Sequence, residues 1–332
     1  MKNIRWGIIG CGEVTEVKSG PAFQKARGSE LVAVMRRTAE KAADYARRHR
    51  VRYWFSDADK LINHPEVDAV YIATPPNEHK NYTLKCAASG NPVYVEKPMA
   101  RSYPECQTMI NACRTATVPL FVAYYRRALP KFLKIKELVT SGAIGDIRLV
   151  TVQLYHAPFP GDYDSENLPW RVIPEIAGAG RFLDLASHTL DILDFILGPI
   201  EKAQGQASNL AGLYPAEDTV SARFVFASGV HGVGSWCFTA AENTDRNTII
   251  GSKGSIRFST FGNEIILNRN NQIEELQFER PPHVQQPLIQ TIVDELHGRG
   301  TCPSTGETAA RTSWVMDGIL KDYRKHQGIS FR

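Results

Sequence analysis

The chain has 332 residues, 43% of them hydrophobic and 22% charged, with a formal net charge of +4. So ordinary a composition supplies apolar material for sizeable cores and argues against disorder, and the length suits two domains of roughly 100–200 residues each. Residues 1–122 carry 18 Lys/Arg against 12 Asp/Glu and the remainder 21 against 23; this scattered excess is too thin for the dense basic stripe of a nucleic-acid binder and suits a small anionic ligand.

No apolar run approaches the roughly 18 residues that span a bilayer. Met1-Lys2-Asn3 runs straight into a short apolar strand, without the apolar core of a signal peptide. The cysteines Cys11, Cys86, Cys106, Cys113, Cys237 and Cys302 include no Cys-x-x-Cys pair for zinc or a redox dithiol. A cytoplasmic protein with reduced thiols, no membrane segment and no nucleic-acid partner is expected.

In chain order, residues 4–9 (IRWGII) read as a strand broken by Gly10-Cys11-Gly12, with a helical segment after it. A second strand is predicted over 30–35, an exposed Ala-rich helix over 39–49 with Thr38 as its candidate cap, and a third strand over 68–73. A helix over 78–89, a strand over 92–96, a helix over 102–115 and a strand over 118–123 continue the alternation. Strands and helices alternating at this spacing define βαβ units and a parallel sheet.

Beyond residue 123 the pattern changes. A helix near 130–141 precedes a long strand over 147–156, a helix over 181–197, and strands over 219–227, 230–238, 246–250, 254–259 and 263–268. In 219–226 (TVSARFVF), Val220, Ala222, Phe224 and Phe226 share one face, the period of two of a half-buried antiparallel strand. Helices near 284–298 and 306–325 close the chain. The expected fold is α/β plus α+β: a Rossmann-type doubly wound parallel sheet over 1–122, then an α+β substrate-binding and oligomerisation domain with an open, mostly antiparallel sheet over 123–332. Phe224, Phe226, Trp236 and Phe238 exceed what one helical layer covers, and an uncovered apolar sheet face predicts a homodimer or homotetramer.

Gly10-Cys11-Gly12-Glu13-Val14-Thr15 ends the first strand and opens a helix. The first glycine permits the tight turn, the second lets backbone approach a pyrophosphate, and the helix N-terminus turns N–H groups toward an anion. A Gly-x-Gly pair alone can be only a turn. Placed at the end of strand one with strand two on schedule, it favours dinucleotide binding through Gly10, Cys11, Gly12, Glu13 and Val14. Thr15 stands where a third small residue is usual, which loosens helix–strand packing. The acid that normally ends strand two and binds the adenosine ribose is missing; Met35-Arg36-Arg37-Thr38 takes its place. Arg36 and Arg37 can meet a 2′-phosphate by charge-assisted hydrogen bonds, the alternative being a solvated basic turn. NADP(H) is the expected cofactor, with NAD(H) possible.

Glu96-Lys97-Pro98 follows a buried strand, at the carboxyl end of the sheet where ligands of open α/β sheets bind. Pro98 confines Lys97 to extended backbone, although a lysine taken alone is more often a surface residue. On the helix over 181–197, Asp184, His188 and Asp191 cluster opposite the apolar face. For an isolated helix a solvent-facing ion-pair row explains them equally. One histidine and two carboxylates under-supply a metal site, so none is expected. Ala177-Gly178-Ala179-Gly180 gives a small-residue entry that suits close approach of backbone or ligand.

This ordered set resembles the glucose–fructose oxidoreductase, inositol dehydrogenase and rhizopine-catabolism family. It comprises the glycine loop, Ala73-Thr74-Pro75-Pro76-Asn77-Glu78-His79, Glu96-Lys97-Pro98, Trp170-Arg171, and Gly178-Ala179-Gly180 with Asp184 and His188. The resemblance runs nearly end to end, with Gly-Ala-Gly replacing a common Gly-Gly-Gly and Arg36 replacing the strand-two acid. It implies oxidation or reduction of sugars, cyclitols or related alcohols. It also implies that Lys97, Asp184 and His188 line the site where nicotinamide meets substrate, with Thr74, Pro75 and His79 near the nicotinamide half and Glu96 beside them.

On that reading His188 transfers the proton, Asp184 orients substrate or imidazole, and Lys97 polarises the reacting oxygen. Tyr125, Arg126, Trp170 and Arg171 are candidates for the pocket of a polyol- or sugar-like small molecule. Two alternatives come from other classes: a nucleotide-sensing regulator without catalysis, and a redox-assisted glycosidase that keeps NAD bound.

Overall fold

The computed structural model describes residues 2–270 and 272–331. The chain divides into two compact units. The first takes Met1–Ala100, Pro104–Leu129 and Arg280–Ala310; the second takes Arg101–Tyr103, Pro130–Glu279 and Arg311–Arg332. The units are thus interleaved in sequence, where a single boundary between residues 122 and 123 was expected.

The first unit is built on strands β1 (Ile4–Ile9), β2 (Ser29–Met35), β3 (Tyr53–Phe55), β4 (Ala69–Ile72), β5 (Val93–Val95) and β6 (Leu120–Val122). They form one parallel sheet in the order β3-β2-β1-β4-β5-β6, the doubly wound arrangement. β4 and β5 are buried at every position, as strands covered on both faces must be. Trp6, Phe23, Tyr71 and Tyr94 lie in the main core cluster, and so do Leu288, Ile289, Ile292 and Val293. Those last four line one side of the helix Gln286–Leu296 at helical spacing. This apolar stripe is what returns residues 280–310 to the first unit.

The second unit holds β7 (Ile147–Tyr155), β8 (Ile200–Ser208), β9 (Thr219–Phe226), β10 (His231–Cys237), β11 (Thr244–Gly251), β12 (Gly254–Phe258), β13 (Glu264–Arg269) and β14 (Gln272–Gln277). The sheet order is β14-β13-β12-β11-β7-β10-β9-β8. Every neighbouring pair is antiparallel except β7 with β10. β8 escapes hydrophobic periodicity because its inward positions are Ala203, Gly205 and Ala207. A Cβ on Gly205 would come within 2.6 Å of the Ile319 side chain, so small residues let the C-terminal helix Gly306–Gln327 lie against this strand.

Phe224, Phe226, Trp236 and Phe238 do not form an exposed face. All four are at most 1% exposed, and Phe182 packs edge-on against Trp236 at 5.0 Å between ring centroids. The helical layer over the sheet is thicker than expected: the helix Ser187–Leu197 is buried on nearly all sides, and the helix Pro130–Thr140 packs on it. The opposite sheet face carries half-exposed Leu149, Thr151, Gln153 and Ile250 beside exposed Val233. Among the described residues no helix is long and apolar enough to cross a membrane.

Candidate functional site

The glycine loop has the shape its sequence requires. Gly10 sits at φ +91°, and a Cβ there would approach Thr74 Cγ2 to 2.9 Å and the Ala73 backbone to 3.0 Å. The N–H groups of Gly10 and Cys11 donate to the Met35 carbonyl at 2.9 and 3.2 Å, tying the loop to the end of β2. Gly12 is open, its nearest neighbour being the Gly10 carbonyl oxygen at 3.9 Å from an added Cβ. Cys11 is fully buried, and burial pushes its thiol up to about 11, so it offers backbone rather than thiolate chemistry. Glu13 is exposed and Val14 half-buried at the start of the short helix Glu13–Val17. Thr15 is fully buried, its hydroxyl donating to the Gly12 carbonyl at 2.8 Å while Tyr45 donates to the Thr15 carbonyl at 2.8 Å.

Arg36 turns back over this loop, with Nη1 donating to the Cys11 carbonyl at 3.4 Å. Arg37 is exposed, and its charge reaches the Tyr82 phenol. Thr38 occupies the cap position of the helix Ala39–His49, but its hydroxyl makes no capping bond, so that expected contribution is absent.

After β4, Pro75 caps the helix Pro76–Ala88. Thr74 Oγ1 and Asn77 Oδ1 are buried with no hydrogen-bond partner. Buried polar atoms left without a partner in the protein are what a bound polar group would satisfy. Together with the open side of Gly12 and the close turn at Gly10, they fit a dinucleotide lying across the carboxyl ends of β1 and β4.

His79, expected near the nicotinamide half of the cofactor, lies against Thr74. Its ring is fully buried, with Nε2 2.8 Å from the Thr74 carbonyl oxygen and Nδ1 3.1 Å from that of Pro98. Burial holds its pKa below the ordinary histidine value. A neutral imidazole carries one N–H, so the ring donates either to the Thr74 carbonyl after β4 or to the carbonyls of the segment after β5.

Glu96 is likewise turned inward, accepting from Tyr71, Gln285 and the Lys97 N–H. Lys97 is half-buried, and the Lys97–Pro98 peptide is cis. Tyr125 and Arg126, in a short 3₁₀ turn, also belong to the first unit; the Arg126 guanidinium lies over the Tyr125 ring at 4.9 Å.

In the second unit the helix expected over 181–197 is one continuous run of two geometries. Phe182–Ala186 is a π-helical turn and Ser187–Leu197 is α-helical. Asp184 lies within this wider turn, and such π turns are frequent at functional sites. His188 is only 5% exposed, and its ring meets Phe261 edge-on at 5.8 Å. Asp184 faces Arg171 Nε at 3.3 Å, and the Arg171 guanidinium lies 4.5 Å from the Trp170 ring centroid. Asp191 is buried and accepts from Thr312, while Asp194 takes two hydrogen bonds from Arg311 at 2.9 and 2.6 Å. A solvated ion-pair row is thereby excluded, and the structure brings Trp170, Arg171 and Asp184 together.

The small-residue loop before this turn is packed against protein. A Cβ on Gly178 would come within 2.7 Å of Arg101 backbone, and one on Gly180 within 2.6 Å of the Glu217 carbonyl oxygen. The Gly180 N–H donates to both oxygens of the Glu217 carboxyl, at 2.8 and 3.0 Å. Glu217 is fully buried, and burial pushes its carboxyl up to about 7. Arg324 donates to the carbonyls of Gly178 and Arg101, both at 3.0 Å. Gln285 and Glu217 carry no motif of their own, and only the folded contacts reveal them. Among the described residues no group of three or more His, Cys, Asp or Glu is arranged to hold a metal ion.

A doubly wound sheet with its glycine loop at the end of β1, joined to a large mixed sheet, defines a two-domain dinucleotide-dependent oxidoreductase. The chain belongs to the GFO/IDH/MocA family: residues 4–124 match the oxidoreductase family with an NAD-binding Rossmann fold, and residues 132–257 match the GFO/IDH/MocA C-terminal domain. Oxidoreductase P35 of Formosa agariphila is 41% identical over 314 residues, covering 95% of this chain and 97% of that protein. The 1,5-anhydro-D-fructose reductase of Ensifer adhaerens is 27% identical over 313 residues, 91% of each chain. The WlbA dehydrogenase of Bordetella pertussis, solved with NADH and UDP-GlcNAcA, superimposes with a TM-score of 0.82 at 25% identity over 98% of both chains. The protein is a nicotinamide-dinucleotide-dependent enzyme of the dehydrogenase and reductase kind.

Proposed function

We propose that the enzyme interconverts a secondary alcohol and its carbonyl on a sugar, cyclitol or related polyol, with NADP(H) preferred over NAD(H). When bound, the nicotinamide supplies or accepts the hydride. Gly10, Cys11, Gly12, Glu13 and Val14 hold the pyrophosphate through backbone, and Thr74, Pro75 and Asn77 contact the nicotinamide half. Arg36 and Arg37 take the 2′-phosphate, with Arg36 already folded onto the loop through Cys11. Lys97 stabilises charge developing on the substrate oxygen, and His188 gives or removes its proton. Asp184, held by Arg171 beside Trp170, orients the substrate, and Tyr125 and Arg126 complete its recognition.

The observation that carries this reading is the close turn at Gly10 and the open Gly12, with Thr74 Oγ1 and Asn77 Oδ1 buried and unpartnered at the ends of the same sheet. The relatives support the substrate class, one being a 1,5-anhydro-D-fructose reductase and another having been solved with a sugar nucleotide. We place the protein in the cytoplasm on the strength of its six free cysteines. Homo-oligomerisation, as a dimer or tetramer, is assigned to the sheet face bearing Thr151, Gln153 and Val233.

The test is a screen of sugars, cyclitols, keto-sugars and dihydrodiols with NADP(H) and NAD(H), followed at the nicotinamide absorbance. Turnover of a polyol or keto-sugar is expected. Cofactor binding without turnover across the panel would point to a nucleotide sensor, and a cofactor retained through gel filtration would point to a redox-assisted glycosidase.

A further inference from the structure

Lys97 is the residue the proposed chemistry asks to be placed most accurately, and its backbone N–H is tied to the side chain of its own neighbour. The Lys97 N–H donates to Glu96 Oε2 at 3.1 Å. The other carboxylate oxygen, Oε1, accepts from Tyr71 Oη and from Gln285 Nε2, each at 2.6 Å. The far end of the Gln285 amide is also committed, since Oε1 accepts from Tyr94 Oη at 2.8 Å. With its oxygen tied to Tyr94, the amide can present only its NH₂ to Glu96. Three donors face the carboxyl group, two on Oε1 and one on Oε2.

Gln285 is itself rigidly held. Its N–H donates to the Lys18 carbonyl at 3.2 Å and its carbonyl accepts from Ile289 N–H at 2.9 Å. It leads into the helix Gln286–Leu296, whose Leu288, Ile289, Ile292 and Val293 are locked in the core with Trp6 and Phe23. Tyr71 and Tyr94 are stacked at 4.8 Å with 24° between their planes, and both are fully buried. The cluster lies wholly within the first unit.

We infer that Gln285 is a positioning residue that fixes Lys97 through Glu96. The inference rests on the catalytic reading of Lys97. Gln285 touches no reacting atom; it sets the Glu96 carboxylate, which sets the Lys97 backbone at the base of the catalytic side chain. A misplacement of about 1 Å is enough to cost on the order of a hundredfold in rate. Removing the amide leaves Glu96 Oε1 with Tyr71 and strands the Tyr94 hydroxyl, while the glycine loop keeps its own bonds to Met35.

The experiment compares wild type, Gln285→Met, Tyr71→Phe and Lys97→Met by steady-state kinetics on the substrate found in the screen, with cofactor Kd from fluorescence titration. Gln285→Met is expected to lower kcat by about tenfold to a hundredfold while cofactor Kd stays within about twofold. Tyr71→Phe removes the other bond to the same oxygen and is expected to lower kcat in the same selective way; being the smaller change, it carries the test if Gln285→Met does not fold. If Lys97→Met is inactive while Gln285→Met and Tyr71→Phe turn over like wild type, the inference is overturned and the role of Lys97 stands. If Lys97→Met itself turns over normally, the catalytic reading of Lys97 fails and the inference falls with it.

Discussion

Glu217 should make the protein less stable as pH rises from about 4.5 toward 7, and Glu217→Gln should abolish that slope. An ordinary glutamate titrates near 4.5, whereas burial holds this one up to about 7 despite the Gly180 N–H and the Arg324 charge. Between those values the folded state keeps a proton that the unfolded chain has released. The stabilisation is therefore complete below about 4.5, shrinks as pH rises toward 7, and is lost above it. A gap from 4.5 to about 7 corresponds to about 3 kcal/mol at 1.36 kcal/mol per pH unit. Glutamine retains the shape and one acceptor for the Gly180 N–H but never ionises. Relative to wild type, the variant should gain stability from pH 5 to pH 8 by up to about 3 kcal/mol. Urea unfolding of both proteins across that range, followed by intrinsic fluorescence, measures the difference. Parallel pH profiles, or a wild type that gains on the variant as pH rises, would refute the argument that this carboxyl is held protonated beneath the Gly178–Gly180 loop.

Arg36→Asp should erode or reverse a preference for NADP(H) that is about tenfold or more in wild type, because charge-assisted hydrogen bonds are worth about 1.5–3 kcal/mol; equal kcat/KM with the two cofactors in wild type would defeat the assignment. Asp184→Asn keeps shape and hydrogen bonding, so kinetics should show a milder loss than removing His188 if Asp184 orients rather than transfers a proton. Light scattering at micromolar concentration should find a dimer or tetramer, and Val233→Glu on the exposed sheet face should shift it toward monomer. A monomeric wild type would remove the case for that face.

The Rossmann half was legible because its signals are local. The alternation of apolar strands with helices places β1, β2, β4, β5 and β6 within a few residues, and the glycine loop lies where β1 ends. β3 is three residues long at a sheet edge, too short for any period. β8 hides its inward face in Ala203, Gly205 and Ala207, which pack through smallness rather than apolarity. The aromatics of β9 and β10 signalled an apolar face correctly, but what covers that face depends on helices elsewhere in the chain. Asp184 and His188 stood out as chemistry-bearing residues, whereas the π turn that holds Asp184 has no signature in Phe182–Ala186. Gln285 and Glu217 were beyond reach, since one acts on Glu96 from 189 positions away and the other on Gly180 from 37.

Steady-state turnover of His188→Ala and Lys97→Met, measured beside cofactor titration by fluorescence, tests the catalytic claim most directly. His188→Ala should lose about 10²–10⁴-fold in kcat, as removal of a general acid–base group typically does. Lys97→Met should lose at least as much, with cofactor binding nearly intact in both. The double variant should lose less than the product of the single losses, because the two groups serve one transition state. Near-normal turnover in both single variants would contradict the account, and weakened cofactor binding with no selective loss of kcat would make Lys97 a nucleotide ligand and the protein a sensor.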